Sequence, residues 1–174
     1  MSITHTVTLI GQITDNLCWY AVYQMLEAWY NRIQPKRPPA FTSNQLARLK
    51  SLNWGVKPEA VPGFANLMGL NVLTPTPSVS TVEQLLSTYG PIWYPGKNLG
   101  FIPSTGTHHA VLIRGITGHD LLINDPSPVG IGTSRRMPAS AFFQQLQPVN
   151  NQFLVMLANS KPNIAAIQAD LGVR

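Results

Sequence analysis

The chain carries a single cysteine, Cys18, in 174 residues. It follows Asp15 and Asn16, whose side-chain oxygens can accept the free N–H groups at the start of a helix. Cys18, Ala21, Val22, Met25, Leu26 and Trp29 then recur at helical spacing and share one apolar face. This spacing predicts a buried helix over residues 16–33 with Cys18 in its first turn. Unpaired N–H groups and the helix dipole favour an anion there, as a nucleophilic sulfur requires. Gln12 lies six residues upstream, in the loop that feeds the helix. Its side-chain amide can face the oxygen of a carbonyl under attack by Cys18. Taken alone, a free cysteine is more often a small buried hydrophobe. A nucleophile needs a histidine and an Asn or Asp supplied from elsewhere in the chain.

His109 and Asp125 are the candidates. His109 opens the apolar block Ala110-Val111-Leu112-Ile113, after the turn Gly106-Thr107-His108. Asp125 closes the strand Leu121-Leu122-Ile123-Asn124, and Thr117-Gly118-His119-Asp120 reads as the turn of a hairpin joining the two. Strands linked in this way place His109 and Asp125 at one end of a sheet. There a carboxylate can fix the tautomer and orientation of an imidazole acting as base for a thiol. Each residue also has an ordinary reading. Asp125 before Pro126 is a normal turn residue, and His109 can be a core histidine. Their joint occurrence with Gln12 and a helix-capping cysteine favours chemistry. His5 and His119 lack paired metal-ligand spacing, so neither a metal site nor a cofactor is expected.

The elements that must position these residues form an α+β pattern, helices first and an antiparallel sheet after. Residues around Thr4–Ile10 read as a short strand or an ordered arm. Gln34–Pro39 is a Pro-rich loop, because proline cannot continue a helix. Thr42-Ser43-Asn44 caps a second helix through Leu52, and a third covers Pro62–Met68 before Gly69. Asn71–Leu73 is extended. Ser80-Thr81-Val82-Glu83 matches a capping box opening a helix to Tyr89, with Gly90 as its stop. Pro91–Tyr94, His109–Ile116, Leu121–Asn124, Ser134–Met137 and Phe153–Leu157 read as strands, with a helix at Ala139–Leu146. A single domain is expected over 1–174: a helical part at about 12–90, a sheet part at about 91–158, and a peripheral tail at 159–174 with a short helix over 164–171.

Twelve Lys and Arg against seven Asp and Glu give a net charge of +5, with only Lys36-Arg37 and Arg135-Arg136 adjacent. A nucleic-acid binder shows a denser stripe, so none is expected as a partner. One cysteine excludes an intramolecular disulfide framework. No apolar run approaches the ~18 residues of a membrane span, and no secretory signal is legible at the N-terminus.

Gln12, Cys18-Trp19, His109-Ala110-Val111-Leu112-Ile113-x-Gly115 and Ile123-Asn124-Asp125-Pro126 together resemble the papain-like cysteine peptidases. The resemblance spans roughly residues 10–158. It points to two bacterial branches: effector proteases of plant pathogens that cut host immune proteins, and double-glycine peptidases that remove leader peptides from bacteriocins. It implies a papain-like fold, in which the central helix packs on the C-terminal sheet. It also implies Cys18 as nucleophile, His109 as general base and acid, and Asp125 as the group orienting His109. The Gln12 amide and the Cys18 backbone N–H would form the oxyanion hole. His108 stands beside His109; His109 is preferred because it begins the apolar strand. Asn16-Leu17 replaces the small residues that plant papains carry before the cysteine, and the substrate-binding loops are short.

The expected activity is a cysteine endopeptidase acting on a protein substrate. Trp19, Trp93 and Tyr94 would crowd the cleft and favour cleavage after small residues, glycine above all. A core anchor is the plainer role for Trp19. The resemblance implies a bacterial effector or interbacterial toxin, made in the bacterial cytoplasm and delivered by a dedicated secretion system into the cytoplasm of a target cell. A cognate immunity protein would then be a partner, with acidic groups facing the +5 charge. The alternatives are a deamidase or transglutaminase-like acyltransferase on the same triad, and a binding module without turnover. The complete Gln, Cys, His and Asp set argues against the last.

Overall fold

The computed structural model describes residues 2–33, 42–53, 55–56, 60–96, 109–145 and 153–156. The Pro-rich loop at Gln34–Pro39, His108 and the tail at 159–174 lie outside these. In chain order the elements are β1 (Ser2–Thr4), α1 (Cys18–Ile33), α2 (Ser43–Leu52), α3 (Val61–Leu67), β2 (Leu70–Leu73) and α4 (Val79–Tyr89). They continue with β3 (Ile92–Gly96), β4 (His109–Thr117), β5 (Asp120–Asp125), β6 (Thr133–Pro138), α5 (Ala139–Gln145) and β7 (Phe153–Met156). The strands form one antiparallel sheet in the order β2-β7-β3-β4-β5-β6.

The longest of these strands, β4, serves three partners. β5 takes one edge, and β3 and β1 share the other. β3 pairs from Ile92↔Ile113 to Gly96↔His109, and β1 pairs from Ser2↔Thr117 to Thr4↔Gly115. This explains why the strand expected over Thr4–Ile10 stops at Thr4. The next step in register would meet Ile113 and Leu112, whose edge β3 already occupies. After a last bond from the His5 N–H to the Arg114 carbonyl (2.9 Å), the chain leaves the sheet as an arm running to Gln12.

Alternation along β3 and β4 sends successive side chains to opposite faces, and both faces are covered. Trp93, Ala110 and Leu112 pack with α1 and α3. Ile92, Tyr94, Val111 and Ile113 pack with Val82, Leu85 and Leu86 of α4 and with Phe142 of α5. The expected α+β architecture is present, with helices packed on both faces of the sheet. Two strands, β1 and β2, come from outside the sheet part expected at about 91–158, β2 where Asn71–Leu73 reads as extended. α1 is buried on nearly every side, from Cys18 to Tyr30, and so owes its stability to packing.

Thr42 caps α2 as expected, but the cap of α4 differs from expectation. α4 begins two residues before the expected capping box, with Ser78 accepting the Thr81 N–H at 3.1 Å. A reciprocal box stands instead at α2: the Gln45 N–H donates to Thr42 Oγ1 (3.3 Å) and the Thr42 N–H to Gln45 Oε1 (2.8 Å). Among the described residues no helix is long and apolar enough to cross a membrane.

Gly90 stops α4 at φ 90°, and its N–H donates to the Leu86 carbonyl. The Trp29 indole lies where its Cβ would be. Gly90→Ala therefore combines backbone strain with a collision and destabilises the fold by roughly 2–5 kcal/mol. Gly118 has φ +61° but nothing within 4 Å, so Gly118→Ala costs only the strain, about 1–2 kcal/mol. Urea midpoints measure the difference, and equal midpoints would contradict the account of Gly90.

Candidate active site

Cys18 is the first residue of α1. The Leu17 N–H donates to the Thr14 carbonyl and the Ala21 N–H donates to the Leu17 carbonyl, both at 3.2 Å. Leu17 thus occupies the capping position. Asp15 and Asn16, expected there, form the turn before it, and the Asn16 N–H is bound by Asn53 Oδ1 at 3.2 Å. The first turn of α1 is fixed to the sheet by a buried bond from Trp93 Nε1–H to the Trp19 carbonyl, 3.1 Å. This holds Cys18, 8 % exposed, against the end of the sheet where β4 begins at His109.

His109 is bonded on both sides. Its Nε2–H donates to Asp125 Oδ1 at 2.7 Å, and its ring also hydrogen-bonds Cys18. With Nε2 taken by Asp125, Nδ1 is the nitrogen left for sulfur. Asp125 is buried at the end of β5, and its Oδ1 also accepts the Ser127 N–H at 2.8 Å. Burial alone would lower the His109 pKa. The hydrogen bonds to Asp125 and Cys18, with the attraction of both groups, outweigh it and push the ring from 6.5 up to about 10. The proton is thus held on the imidazole, beside the sulfur.

Gln12 is buried too. Its Nε2 donates one hydrogen to the Asp15 carbonyl at 3.2 Å, which orients the amide and leaves the second hydrogen for another acceptor. Its backbone is clamped by the loop after Asp125. The Gln12 N–H donates to the Pro126 carbonyl and the Gly130 N–H donates to the Gln12 carbonyl, both at 2.8 Å. The structure thus brings Cys18, His109, Asp125 and Gln12 together at one end of the sheet.

Trp19, Trp93 and Tyr94 do not join them as a cleft wall. They are 1 %, 1 % and 0 % exposed, so no substrate can reach them without unfolding the core. Trp19 packs edge-on against Phe64. Tyr94 lies on the opposite face of the sheet with Phe142 and Phe153. Tandem aromatics in a strand have this explanation whenever both faces are buried.

Sequence reasoning misses the part played by Asn124. Fully buried, it accepts from Arg114 Nε (3.2 Å) and Ser134 Oγ (2.6 Å) through Oδ1 and donates to the Val7 carbonyl (3.4 Å) through Nδ2. It ties the arm that ends in Gln12 to the strand that ends in Asp125. An asparagine within an otherwise apolar strand is its only sequence signal. Among the described residues no group of three or more His, Cys, Asp or Glu side chains is placed to hold a metal ion.

A helix bearing a cysteine at its N-terminus, set against a sheet bearing a His–Asp pair, defines a cysteine peptidase of the papain-like class. The chain belongs to the family described as papain-like cysteine protease AvrRpt2, whose model matches residues 1–147. Two solved structures are similar in fold. A C39-like peptidase from Bacillus anthracis has a TM-score of 0.59 and 13% identity, covering 92% of this chain and 100% of its own. A double glycine motif protease from an AMS/PCAT transporter, in complex with the leader peptide, has a TM-score of 0.52 and 19% identity, covering 87% of this chain and 91% of its own. No curated protein matches the chain in sequence.

The raised His109 pKa has a defined sign. Below about 6.5 the ring is protonated in folded and unfolded chains alike, and its contribution to stability is complete. That contribution declines as pH rises through the window from 6.5 to about 10. Asp125→Asn removes a charge that holds the proton. The alkaline limb of kcat/KM should therefore move to lower pH in this variant. A limb at the same pH in both proteins would show that another group sets it.

Proposed function

We propose that Cys18 is the nucleophile of this cysteine peptidase and that His109, Asp125 and Gln12 complete its machinery. The observation that carries the reading is the His109 ring, bonded to Cys18 on one side and to Asp125 on the other. The Cys18 thiolate attacks the scissile carbonyl carbon, and the displaced electron pair collects on the carbonyl oxygen. The free N–H of Gln12 Nε2 and the backbone N–H of Cys18 donate to that oxygen as its charge develops. As the tetrahedral adduct collapses, the imidazolium gives its proton to the leaving amine and a thioester remains on Cys18. His109, now neutral, takes a proton from water. The resulting hydroxide attacks the thioester, releases the acid and restores the pair. Asp125 keeps the ring in one tautomer throughout.

In cleavage preference and setting, the reading follows the relatives. The protein cuts after a small residue, glycine favoured, in a flexible segment of a target protein. The double glycine motif protease, similar in fold, supports this; the buried aromatic residues do not contribute. It acts as a bacterial effector or interbacterial toxin, delivered by a secretion system into the cytoplasm of a target cell, where a reducing medium keeps the lone Cys18 thiol free. An immunity protein covering the cleft would protect the producing cell.

Cys18→Ala and His109→Ala should each abolish turnover while leaving the circular dichroism spectrum unchanged, because a triad acts as a unit. Gln12→Ala should lower kcat by roughly 10²–10³-fold with KM little changed. Weaker binding at normal kcat would remove Gln12 from the oxyanion hole. New N-termini that form in cells expressing the active protein but not Cys18→Ala should follow glycine. Cuts after bulky residues would overturn the preference, and a +1 Da change at glutamine without backbone cleavage would instead identify a deamidase.

A further inference from the structure

The loop from Pro126 to Gly132 touches both halves of the site. Its first residues hold the acid: the Ser127 N–H donates to the same Asp125 oxygen that accepts from His109. The Pro126 carbonyl and the Gly130 N–H grip the backbone of Gln12 from both sides. The fit is close, since a Cβ at Gly11 would run into the backbone of Gly130 and Ile131. The loop is closed on itself by the Ile131 and Gly132 N–H groups, which both donate to the Pro128 carbonyl (3.2 and 2.9 Å). One side chain completes the closure. Thr133, the first residue of β6, donates from Oγ1 to the Ser127 carbonyl at 3.0 Å.

We propose that Thr133 is a positioning residue, which sets the Pro126–Gly132 loop and through it holds Asp125 and Gln12 in mutual register. The inference rests on the roles of Asp125 and Gln12 given above. The physical argument is one of connectivity. The loop carries two exposed apolar side chains, Val129 and Ile131, 43 % and 72 % exposed, which supply little burial to fix it. Hydrogen bonds must do so. Thr133 donates to the loop's own backbone from outside the loop, and the Asp125 carboxylate accepts from it. Losing the Thr133 bond frees the Ser127 carbonyl and, through that residue, loosens the N–H on its other side, which faces Asp125. It also loosens the adjoining Pro126 carbonyl that faces Gln12. A displacement of about 1 Å at groups like these can cost ~10²-fold in rate.

The test compares Thr133→Val, which keeps the shape and removes the donor, with Thr133→Ser, which keeps the donor. Thr133→Val should lower kcat about tenfold or more with KM within about twofold, below the ~10²-fold limit for such a displacement. Its alkaline limb should move down in pH, and Thr133→Ser should restore both. In a Gln12→Ala background the kcat loss from Thr133→Val should shrink, since part of it acts through Gln12. Gly130→Ala provides a second route should Thr133→Val fail to fold. Gly130 is exposed with φ +78° and open space around its Cβ, so the change strains the loop without a collision and should give the same loss of kcat. The proposal is overturned if Thr133→Val or Gly130→Ala lowers the melting temperature while kcat and the alkaline limb stay put. It is equally overturned if Thr133→Ser is no better than Thr133→Val. If Gln12→Ala itself keeps normal kcat, the failure lies in the oxyanion reading; loss there with intact Thr133→Val condemns the brace alone.

Discussion

The Asp125 carboxylate has almost no contact with solvent, at 1 % exposure, and a buried charge persists only where it is paired and fully hydrogen-bonded. Much of the structure serves that requirement. His109 must lie within reach, so β4 and β5 must end together. The Ser127 N–H must turn back, so the chain must fold over after Pro126. Removing one partner of such a buried pair typically costs ~3–5 kcal/mol. The geometry of the site and the stability of this end of the sheet are therefore one problem with one solution.

The helix side is held by different means. α1 approaches the sheet through apolar packing, which is strong and lacks direction. The bond from Trp93 to the Trp19 carbonyl supplies direction at the turn that follows Cys18. Between helix and sheet lies the arm, fixed at Val7 by Asn124 and at Gln12 by the loop after Asp125. A sulfur on a buried helix and a His–Asp pair on a covered sheet need only such short polar links to stay in register.

Much of this is legible in the sequence. The caesura at Gly90, the hairpin from His109 to Asp125 and the amphipathic α1 follow from local chemistry, whereas the gathering of Cys18, His109, Asp125 and Gln12 follows from the resemblance to papain-like peptidases. What is not legible depends on long-range contact. Nothing near Ser2 says that it pairs with Thr117, or that β3 will block the arm from pairing further. Trp93 and Tyr94 read as cleft residues because periodicity cannot reveal that α4 and α5 cover the second face. Ser78 rather than Ser80 caps α4. The clamp on Gln12 consists of main-chain groups, which every residue carries and no sequence pattern marks.

The pairing of β1 with β4 joins residues 115 positions apart, as in the Ser2–Thr117 contact. Gln12 and Cys18 stand on the early side of that span and His109 and Asp125 on the late side. Neither half contains a working set. As the chain emerges from the ribosome, the sulfur is exposed long before its base exists, and closing so long a loop is slow compared with forming a hairpin. On the proposed reading, the site is assembled only when β1 and α1 meet β4 and β5. Until those elements meet, the four residues of the proposed site stand apart on the nascent chain.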